Sequence, residues 1–372
     1  MPSRLCFRDG QFKIMQVADV QEQAEISADT LRLLEAALDA DPPDLVIFTG
    51  DQVMGYSGTF KKGDVRQRFA HFVQTLTAPL EEREIPFTVT FGNHDLELGL
   101  PLEEQEAIYR ESPLYVRLYH SPGPGTGVLP VYDGACDRHI FALYLFESGG
   151  RKKGGGYESV RPEYVGWYRR MRDQLASENG REPLAAMVFQ HIPLREYYHV
   201  LMKVRRGTRG AVRAFGIHKN EFYILPGPTR HQNELFREAP SVPDENTGSF
   251  QAFAERGDVC AVFCGHDHNN SFVRDLGDID LGYTQTCGFD TYGPDTLRGV
   301  RIVKIHERNL RLYDTYTLTY RELVAKRPSR PLMNAVYNRM PTSIPQAVHL
   351  LKRIGFAVLG LMLLGLLLIW IL

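Results

Sequence analysis

Residues 87–95 read FTVTFGNHD. The apolar and β-branched start of this stretch predicts a buried β-strand over 87–90. Its end places an amide, an imidazole and a carboxylate directly after that strand. We therefore expect Asn93, His94 and Asp95 on a loop at the carboxyl end of a strand, where open α/β sheets place their binding sites.

Four other short apolar stretches run into polar side chains of the same kinds. Strands are predicted over 12–17, 45–48, 185–189 and 259–263, and they lead to Asp19, Asp51, His191 and the run Gly265 to His268. Carboxylate oxygens and imidazole nitrogens together suit Mn, Fe or Zn. Two divalent ions about 3.5–4 Å apart relieve the charge repulsion that protects a phosphoester, and they supply hydroxide near neutral pH. The sequence therefore predicts a two-metal site that cleaves phosphoesters.

The elements between these motifs predict an α/β (α+β) fold. Helical patterns lie over 27–38, with Ser27 as N-cap, and over 64–76, and further strands are predicted over 282–287, 300–306 and 310–318. We expect a four-layer αββα sandwich of two mixed β-sheets flanked by helices. Two segments read as insertions, the Gly- and Pro-rich 121–134 and the basic 202–232. The second is either a solvated basic loop or a flap that recognises an anion.

Composition limits the class of partner. The chain has 372 residues, 24% of them charged, and a formal net charge of −2. No excess of basic groups favours a nucleic-acid backbone, so no nucleic-acid partner is expected. A phosphate ester is the expected substrate.

The carboxyl end differs sharply from the rest of the chain. Residues 354–372 read IGFAVLGLMLLGLLLIWIL and contain no charge. As a helix this segment would span roughly 28 Å, close to the ~30 Å hydrocarbon core of a bilayer. We expect a phosphoesterase domain over 1–325, a basic, proline-containing linker over 326–353 and one transmembrane helix over 354–372, which would contact a lipid bilayer.

Charge and cysteine usage predict where the domain lies. Lys352 and Arg353 precede the apolar segment and nothing follows it, so the positive-inside rule places the domain in the cytoplasm behind a single-pass C-terminal anchor. The five cysteines are odd in number and lack metal-binding spacing. They are therefore expected to be reduced thiols.

The motifs in this order resemble the calcineurin-like metallophosphoesterase superfamily. The ones that carry the resemblance are Asp19, Gly50-Asp51, Gly92-Asn93-His94-Asp95, His191 and Gly265-His266-Asp267-His268. The runs TFGNHDLE, YESVRPEYVGWYRR and FQHIPLREY also resemble the small branch that groups purple acid phosphatase-like proteins with a yeast cell-cycle phosphatase. This second resemblance fixes no substrate.

The resemblance implies a role for each motif residue. Asp19, Asp51 and His268 would hold the first metal ion, and the second ion would be held by Asp51, Asn93, His191 and His266. His94 would contact the substrate phosphate and protonate the leaving oxygen, with Asp95 orienting its imidazole ring. Asp267 is expected to point away from the metals.

Gln21 departs from the family pattern, which has Asp-x-His where this chain has Asp19-Val20-Gln21. We expect the Gln21 amide oxygen to ligate the first ion, as in the similar manganese-dependent ADP-ribose pyrophosphatases. The alternative is that Gln21 does not ligate. A harder oxygen ligand favours Mn or Mg over Zn, so Mn is the expected ion at both sites, with Mg, Fe or Zn as alternatives.

The leading functional prediction is a membrane-anchored phosphoric ester hydrolase that works by in-line attack of a metal-bound hydroxide. Its substrate is expected to be a phospholipid head group or another phosphate at the membrane. A nucleotide pyrophosphatase is the nearest alternative, because of Gln21. An alternative of another class is a non-catalytic scaffold with the same fold.

Overall fold

A computed structural model describes residues 4–180, 183–227, 232–324, 327–339, 351–352 and 355. Within them the strands are β1 Gln11–Val17, β2 Leu45–Thr49, β3 Phe87–Thr90, β4 Tyr119–Gly123, β5 Thr126–Tyr132, β6 His139–Phe146, β7 Ala185–Gln190, β8 Met202–Val204, β9 Val212–Arg213, β10 Phe222–Ile224, β11 Leu235–Phe236, β12 Val259–Cys264, β13 Asn270–Leu276, β14 Ile279–Tyr283, β15 Gly299–His306 and β16 Asn309–Thr319. The helices are α1 Ala28–Ala40, α2 Val65–Glu81, α3 Leu102–Tyr109, α4 Pro162–Glu178, α5 Ser249–Ala254, α6 Tyr320–Leu323 and α7 Pro331–Tyr337.

Two large mixed sheets form the centre of the molecule. One has five strands in the order β16-β15-β1-β2-β3, and the other has eight in the order β11-β13-β14-β12-β7-β6-β5-β4. Strands β1, β2 and β3 run parallel, as do β6, β7, β12 and β14, and antiparallel strands flank both groups. The predicted strands that carry the motifs are confirmed to within one residue at each end.

Alternate side chains of each strand face opposite sides of its sheet and so pack in different layers. In β1, Ile14 faces the other sheet and packs in one core with Phe189 and Phe263, whereas Met15 packs with α1 and α2. The outer face of the eight-stranded sheet packs against α4 and α5 in a third core. Removing these faces from water is the main stabilising contribution to the fold. The expectation of a sandwich of two mixed sheets flanked by helices is confirmed.

Helix α1 begins where the sequence predicts. The Ser27 side chain accepts a hydrogen bond from the Thr30 N–H at 3.3 Å, which satisfies one of the free N–H groups at the helix start.

The segment 121–134, expected to be an insertion, forms a β-hairpin. It contributes most of β4 and all of β5, and β5 pairs antiparallel with β6. Despite the Gly and Pro content of the segment, Leu129 and Val131 alternate into the core between the sheets. Gly125 has φ +64° in the turn, a conformation that suits glycine. The basic segment 202–232 contains a small antiparallel sheet of order β8-β10-β9.

The expectation of five reduced cysteines is wrong for two of them. Cys6 and Cys136 form a disulfide with 5.4 Å between their Cα atoms, while Cys260, Cys264 and Cys287 are free and buried. The amino-terminal segment brings the pair together, because it lies along the end of β5, where the Phe7 N–H donates to the Tyr132 carbonyl. A separation of 130 residues gave no indication of this pairing.

The carboxyl-terminal expectations are tested only in part. The transmembrane helix expected over 354–372 lies outside the described residues, apart from Gly355. None of the described helices is both long and apolar enough to cross a membrane. The boundaries at 325 and 353 stay predictions, although part of the expected linker contacts the domain: the Ser329 N–H donates to Asp29, and Asn334 donates to Asp295.

Candidate metal centre

The carboxyl ends of β1, β2, β3, β7 and β12 meet at one end of the two sheets, as the motif positions predict. The backbone there is strained, because Asp19, Gln21, Asp51 and His266 all have positive φ, at 51°, 37°, 50° and 74°. Each such residue costs about 1–3 kcal/mol and persists only where the surroundings enforce it. Strain at four expected metal ligands indicates a functional site.

Asp51, His191 and His266 form the most compact group of possible ligands. One ligand atom from each lies within 4.8 Å of those of the other two, and all three residues are buried. The His191 Nε2 atom is 3.1 Å from Asp51 Oδ2 and 3.2 Å from His266 Nδ1. The other His191 ring nitrogen, Nδ1, is 3.0 Å from the Thr49 carbonyl oxygen, which orients the ring.

Asp19 and His268 lie beside this group. His268 Nε2 is 3.4 Å from Asp19 Oδ1, and the Asp19 carboxylate accepts a hydrogen bond from the His266 N–H at 2.9 Å. The His268 ring is held on both sides: its Nδ1 is 2.8 Å from the Tyr292 carbonyl oxygen, and it stacks on the Tyr292 ring at 4.1 Å. Gln21 is buried next to them, where its Oε1 accepts a hydrogen bond from the Thr291 hydroxyl at 3.1 Å.

Asn93 and His266 show that the pocket fits metal ions. Both side-chain amide atoms of Asn93 are buried without a hydrogen-bond partner among the described residues, and so is His266 Nε2. Leaving such atoms unpaired costs about 1–3 kcal/mol each. An amide oxygen and an imidazole nitrogen are ligands for divalent transition metals. The mixture of carboxylates, imidazoles and amides therefore fits the two ions that the resemblance implies.

The pKa shifts of the site residues also fit bound metal ions. Burial alone would raise the pKa of Asp51, but the imidazoles of His191 and His94 hold it well below its usual range. Burial alone would lower the pKa of His191, yet the Asp51 and Asp19 carboxylates raise it to about 10. Burial and the neighbouring His191 lower the pKa of His266. In the protein alone, positive imidazole charge balances the carboxylates, and divalent cations would take over that role.

Glu97, which the sequence reasoning missed, holds the ring of His94. The His94 Nδ1 and Glu97 Oε2 atoms are 2.6 Å apart, and the His94 N–H donates to Asp51 Oδ1 at 2.7 Å. Glu97 lies in the short 3₁₀ helix Leu96–Leu98 directly after the motif. Its position three residues after His94 was the available signal, because side chains at that spacing meet on one face of a helical turn.

Asp95 does not orient His94, contrary to our expectation. Its carboxylate accepts four backbone hydrogen bonds, from the N–H groups of Asp51, Gln52, Val53 and Gly92, at 2.8–3.2 Å. Those groups belong to the loops after β2 and β3, so Asp95 ties the two loops together. An acceptor buried among four N–H donors has no capacity left for an imidazole.

Asp267 points away from the other site residues, as expected. Its carboxylate accepts hydrogen bonds from the Ser241 N–H at 3.0 Å and from the Tyr283 hydroxyl at 2.6 Å.

A cavity of about 370 Å³ opens onto this cluster. It is lined by Gln21, Asp51, Tyr56, His94, Glu97, Arg151, Tyr157, Glu238, Ser241, His266, His268, Thr291 and Tyr292. Three tyrosine rings lie against three of the histidines: Tyr56 on His94, Tyr157 on His266 and Tyr292 on His268. The volume suits a small phosphate ester.

The chain belongs to the calcineurin-like phosphoesterase family, whose sequence profile matches residues 12–270. It is 27% identical over 335 residues to "Probable inactive purple acid phosphatase 14" of Arabidopsis thaliana. That alignment covers 80% of this chain and 75% of the plant protein. It is 25% identical over 297 residues to "Phosphatase DCR2" of Saccharomyces cerevisiae, covering 72% of this chain and 46% of that one.

A dimetal phosphatase from Danio rerio is similar in structure, with 13% identity, a TM-score of 0.48, and coverage of 83% of this chain and 99% of that one. This likeness carries no argument about function. One sequence relative is named inactive and another is named a phosphatase, so their names do not decide whether this chain is catalytic. Whether this chain is catalytic depends on the residues of its own site.

Proposed function

We propose that this chain hydrolyses a phosphate monoester with the help of two divalent metal ions. The observation that carries the proposal is the set of buried ligand atoms on Asn93 and His266 without a protein partner, beside the Asp51 and His191 pair. A scaffold gains nothing from such unpaired atoms, because they destabilise the fold unless a ligand satisfies them. Bound ions would satisfy the Asn93 amide oxygen and an imidazole nitrogen of His266 in this cluster.

The first ion would be held by Asp19, Gln21, Asp51 and His268, and the second by Asp51, Asn93, His191 and His266. Bound there, the ions would neutralise phosphate charge and lower the pKa of a water molecule that attacks in line. Manganese is the proposed ion, because Gln21 gives the first site an oxygen ligand where an imidazole would favour zinc.

His94 supplies the proton for the leaving oxygen. Burial alone would lower its pKa, but the Asp51 and Glu97 carboxylates outweigh burial and raise the pKa above its ordinary value. Both carboxylates thus favour the protonated form of the ring. Because Glu97 occupies Nδ1, the Nε2–H is left to face the cavity and to donate to the substrate oxygen.

The test compares His94→Asn with a matched histidine variant. His94→Asn should lower kcat on a phosphomonoester by about 10²–10⁴-fold, as general acid–base catalysis predicts, and leave the metal content unchanged. His71→Asn, on the exposed face of α2, is the control and should behave as wild type. An unchanged kcat in the His94→Asn protein would refute the role of His94. A wild-type protein that binds ions but hydrolyses no phosphate ester would favour the scaffold.

We also propose that residues 354–372 anchor the chain in a membrane with the catalytic domain facing the cytosol. The uncharged sequence of this segment, preceded by Lys352 and Arg353, supports that orientation. A domain held at a bilayer surface would meet phospholipid head groups, which makes them candidate substrates.

The Cys6 to Cys136 disulfide opposes the cytosolic placement, because disulfides are rare in that compartment. Protease treatment of intact cells decides the matter. The proposal requires that the added protease spare the domain. Digestion of the domain would place it on the opposite side of the membrane.

A further inference from the structure

Residues 151–157, RKKGGGY, form a closed loop after β6, which we call the basic loop. Arg151 and Tyr157 pair as an antiparallel bridge, and the Lys152 N–H donates to the Gly156 carbonyl at 3.1 Å. The three glycines at its tip have φ of 103°, 106° and 82°. Only glycine adopts such values readily, so the tight turn depends on these three glycines.

The base of the loop is fixed to the metal centre. The Tyr157 ring packs edge-on against His266 with 4.4 Å between ring centroids. The Arg151 guanidinium lies 5.8 Å from the centre of the Tyr157 ring, and Arg151 Nε is 3.8 Å from Glu97 Oε1. Arg151 is thereby placed at the cavity mouth, near the residue that holds His94.

Among the described residues, Arg151 is the one lysine or arginine that lines the cavity. The acidic side chains there are those of Asp51, Glu97 and Glu238, and burial raises the pKa of Glu238 well above its usual range. Arg151 is not committed to Glu97, because 3.8 Å exceeds hydrogen-bond distance and its side chain is 56% exposed. Exposed pairs of this kind contribute about 0–1 kcal/mol, so an arriving phosphate oxygen can replace Glu97 as its partner.

We propose that Arg151 binds a non-bridging oxygen of the substrate phosphate and selects phosphomonoester dianions over phosphodiester monoanions. This inference rests on the proposed function. A monoester carries one more anionic oxygen than a diester, and a guanidinium binds such oxygens through paired N–H donors. Tyr157 supports the guanidinium from one face and the bridge across the loop limits its movement, so the cation is positioned before the substrate arrives.

The experiment compares Arg151→Gln and Arg151→Lys with Lys153→Gln, a control on the same loop that removes an exposed cation outside the cavity lining. On 4-nitrophenyl phosphate, Arg151→Gln should lower kcat/KM by about 10–100-fold, mainly through KM. On bis(4-nitrophenyl) phosphate the loss should stay within about threefold. Arg151→Lys should recover part of the monoester activity, and Lys153→Gln should match wild type.

Binding of inorganic phosphate to the metal-loaded protein, measured by calorimetry, provides a readout that does not depend on turnover. Arg151→Gln should weaken this binding by a factor similar to the loss in kcat/KM. Equal losses on both esters would mean that Arg151 does not select between them, and a fall in kcat alone would mean that Arg151 acts through Glu97. Either result would overturn the inference. If wild type hydrolyses neither ester, the proposed function fails, and unchanged phosphate affinity in Arg151→Gln would separately refute the role of Arg151.

Discussion

Replacing Glu97 by glutamine tests the least expected contact of the site. The change keeps the size of the side chain and removes the negative charge 2.6 Å from His94 Nδ1. Without that charge the imidazole holds its proton less firmly, and an amide that presents its NH₂ group would turn the ring or select the other tautomer. We expect kcat to fall while both metal ions stay bound.

The size of the effect follows from the geometry. A hydrogen bond to a charged group contributes about 1.5–3 kcal/mol. The Glu97 side chain is 32% exposed and His94 is 11% exposed, so solvent screening places this bond at the lower end, about 1.5–2 kcal/mol. At about 1.4 kcal/mol for each tenfold change in rate, kcat should fall roughly 10–30-fold.

The assay is steady-state hydrolysis of a phosphomonoester at saturating concentration, with metal content measured on the same sample. Glu103→Gln is the matched control, because Glu103 is an exposed acid in the first turn of the nearby helix α3. A Glu97→Gln protein with two ions and a kcat within about twofold of wild type would refute the role of Glu97 in catalysis. Loss of the ions would show that Glu97 maintains the metal centre instead.

Four further variants test other parts of the chain. Asp95→Asn would place an amide NH₂ among four N–H donors, so the free energy of unfolding in urea should fall by about 2–4 kcal/mol; unchanged stability would mean that the two loops do not depend on Asp95. Gln21→His should shift the activating metal from Mn towards Zn or Fe, and Gln21→Ala should lower occupancy of the first ion only; no change in either variant would make Gln21 a bystander. Deletion of 354–372 should release a folded, metal-loaded domain, and aggregation would contradict its role as a separate anchor.

The sequence predicted the arrangement of the site well, because each motif follows an apolar run whose end can be read directly. The strand before Gly92 was predicted at its observed ends, and β1, β2, β7 and β12 within one residue. Parallel strands bring their carboxyl ends to the same edge of a sheet. That geometric rule brings Asp19, Asp51 and Asn93 together at the end of the five-stranded sheet, and the packing of the second sheet places His191, which follows β7, beside them.

Features that depend on long-range contacts could not be predicted from the sequence. The Cys6 to Cys136 pair requires the amino-terminal segment to lie along β5, and no spacing rule indicates such a pairing. The hairpin within 121–134 was hidden by its Gly and Pro content, since only its burial shows that alternate residues face the core.

The partners of His94 show a second kind of limit. The adjacent carboxylate, Asp95, was the obvious candidate, but the chain turns so that its carboxylate faces backbone N–H groups. Glu97 takes the role because the 3₁₀ turn after the motif brings position i+3 beside the imidazole. Motifs identify which residues approach a site more reliably than which atoms then meet.

The number of divalent ions bound per chain tests the central claim most directly. We predict that the purified protein, supplied with Mn²⁺ and freed of excess by gel filtration, retains two ions per chain by elemental mass spectrometry. Asn93→Ala should retain one, because the second ion loses its amide ligand while Asp19, Asp51 and His268 keep the first. A wild-type protein that retains fewer than two ions, or an Asn93→Ala protein that retains both, would contradict the proposed two-metal centre.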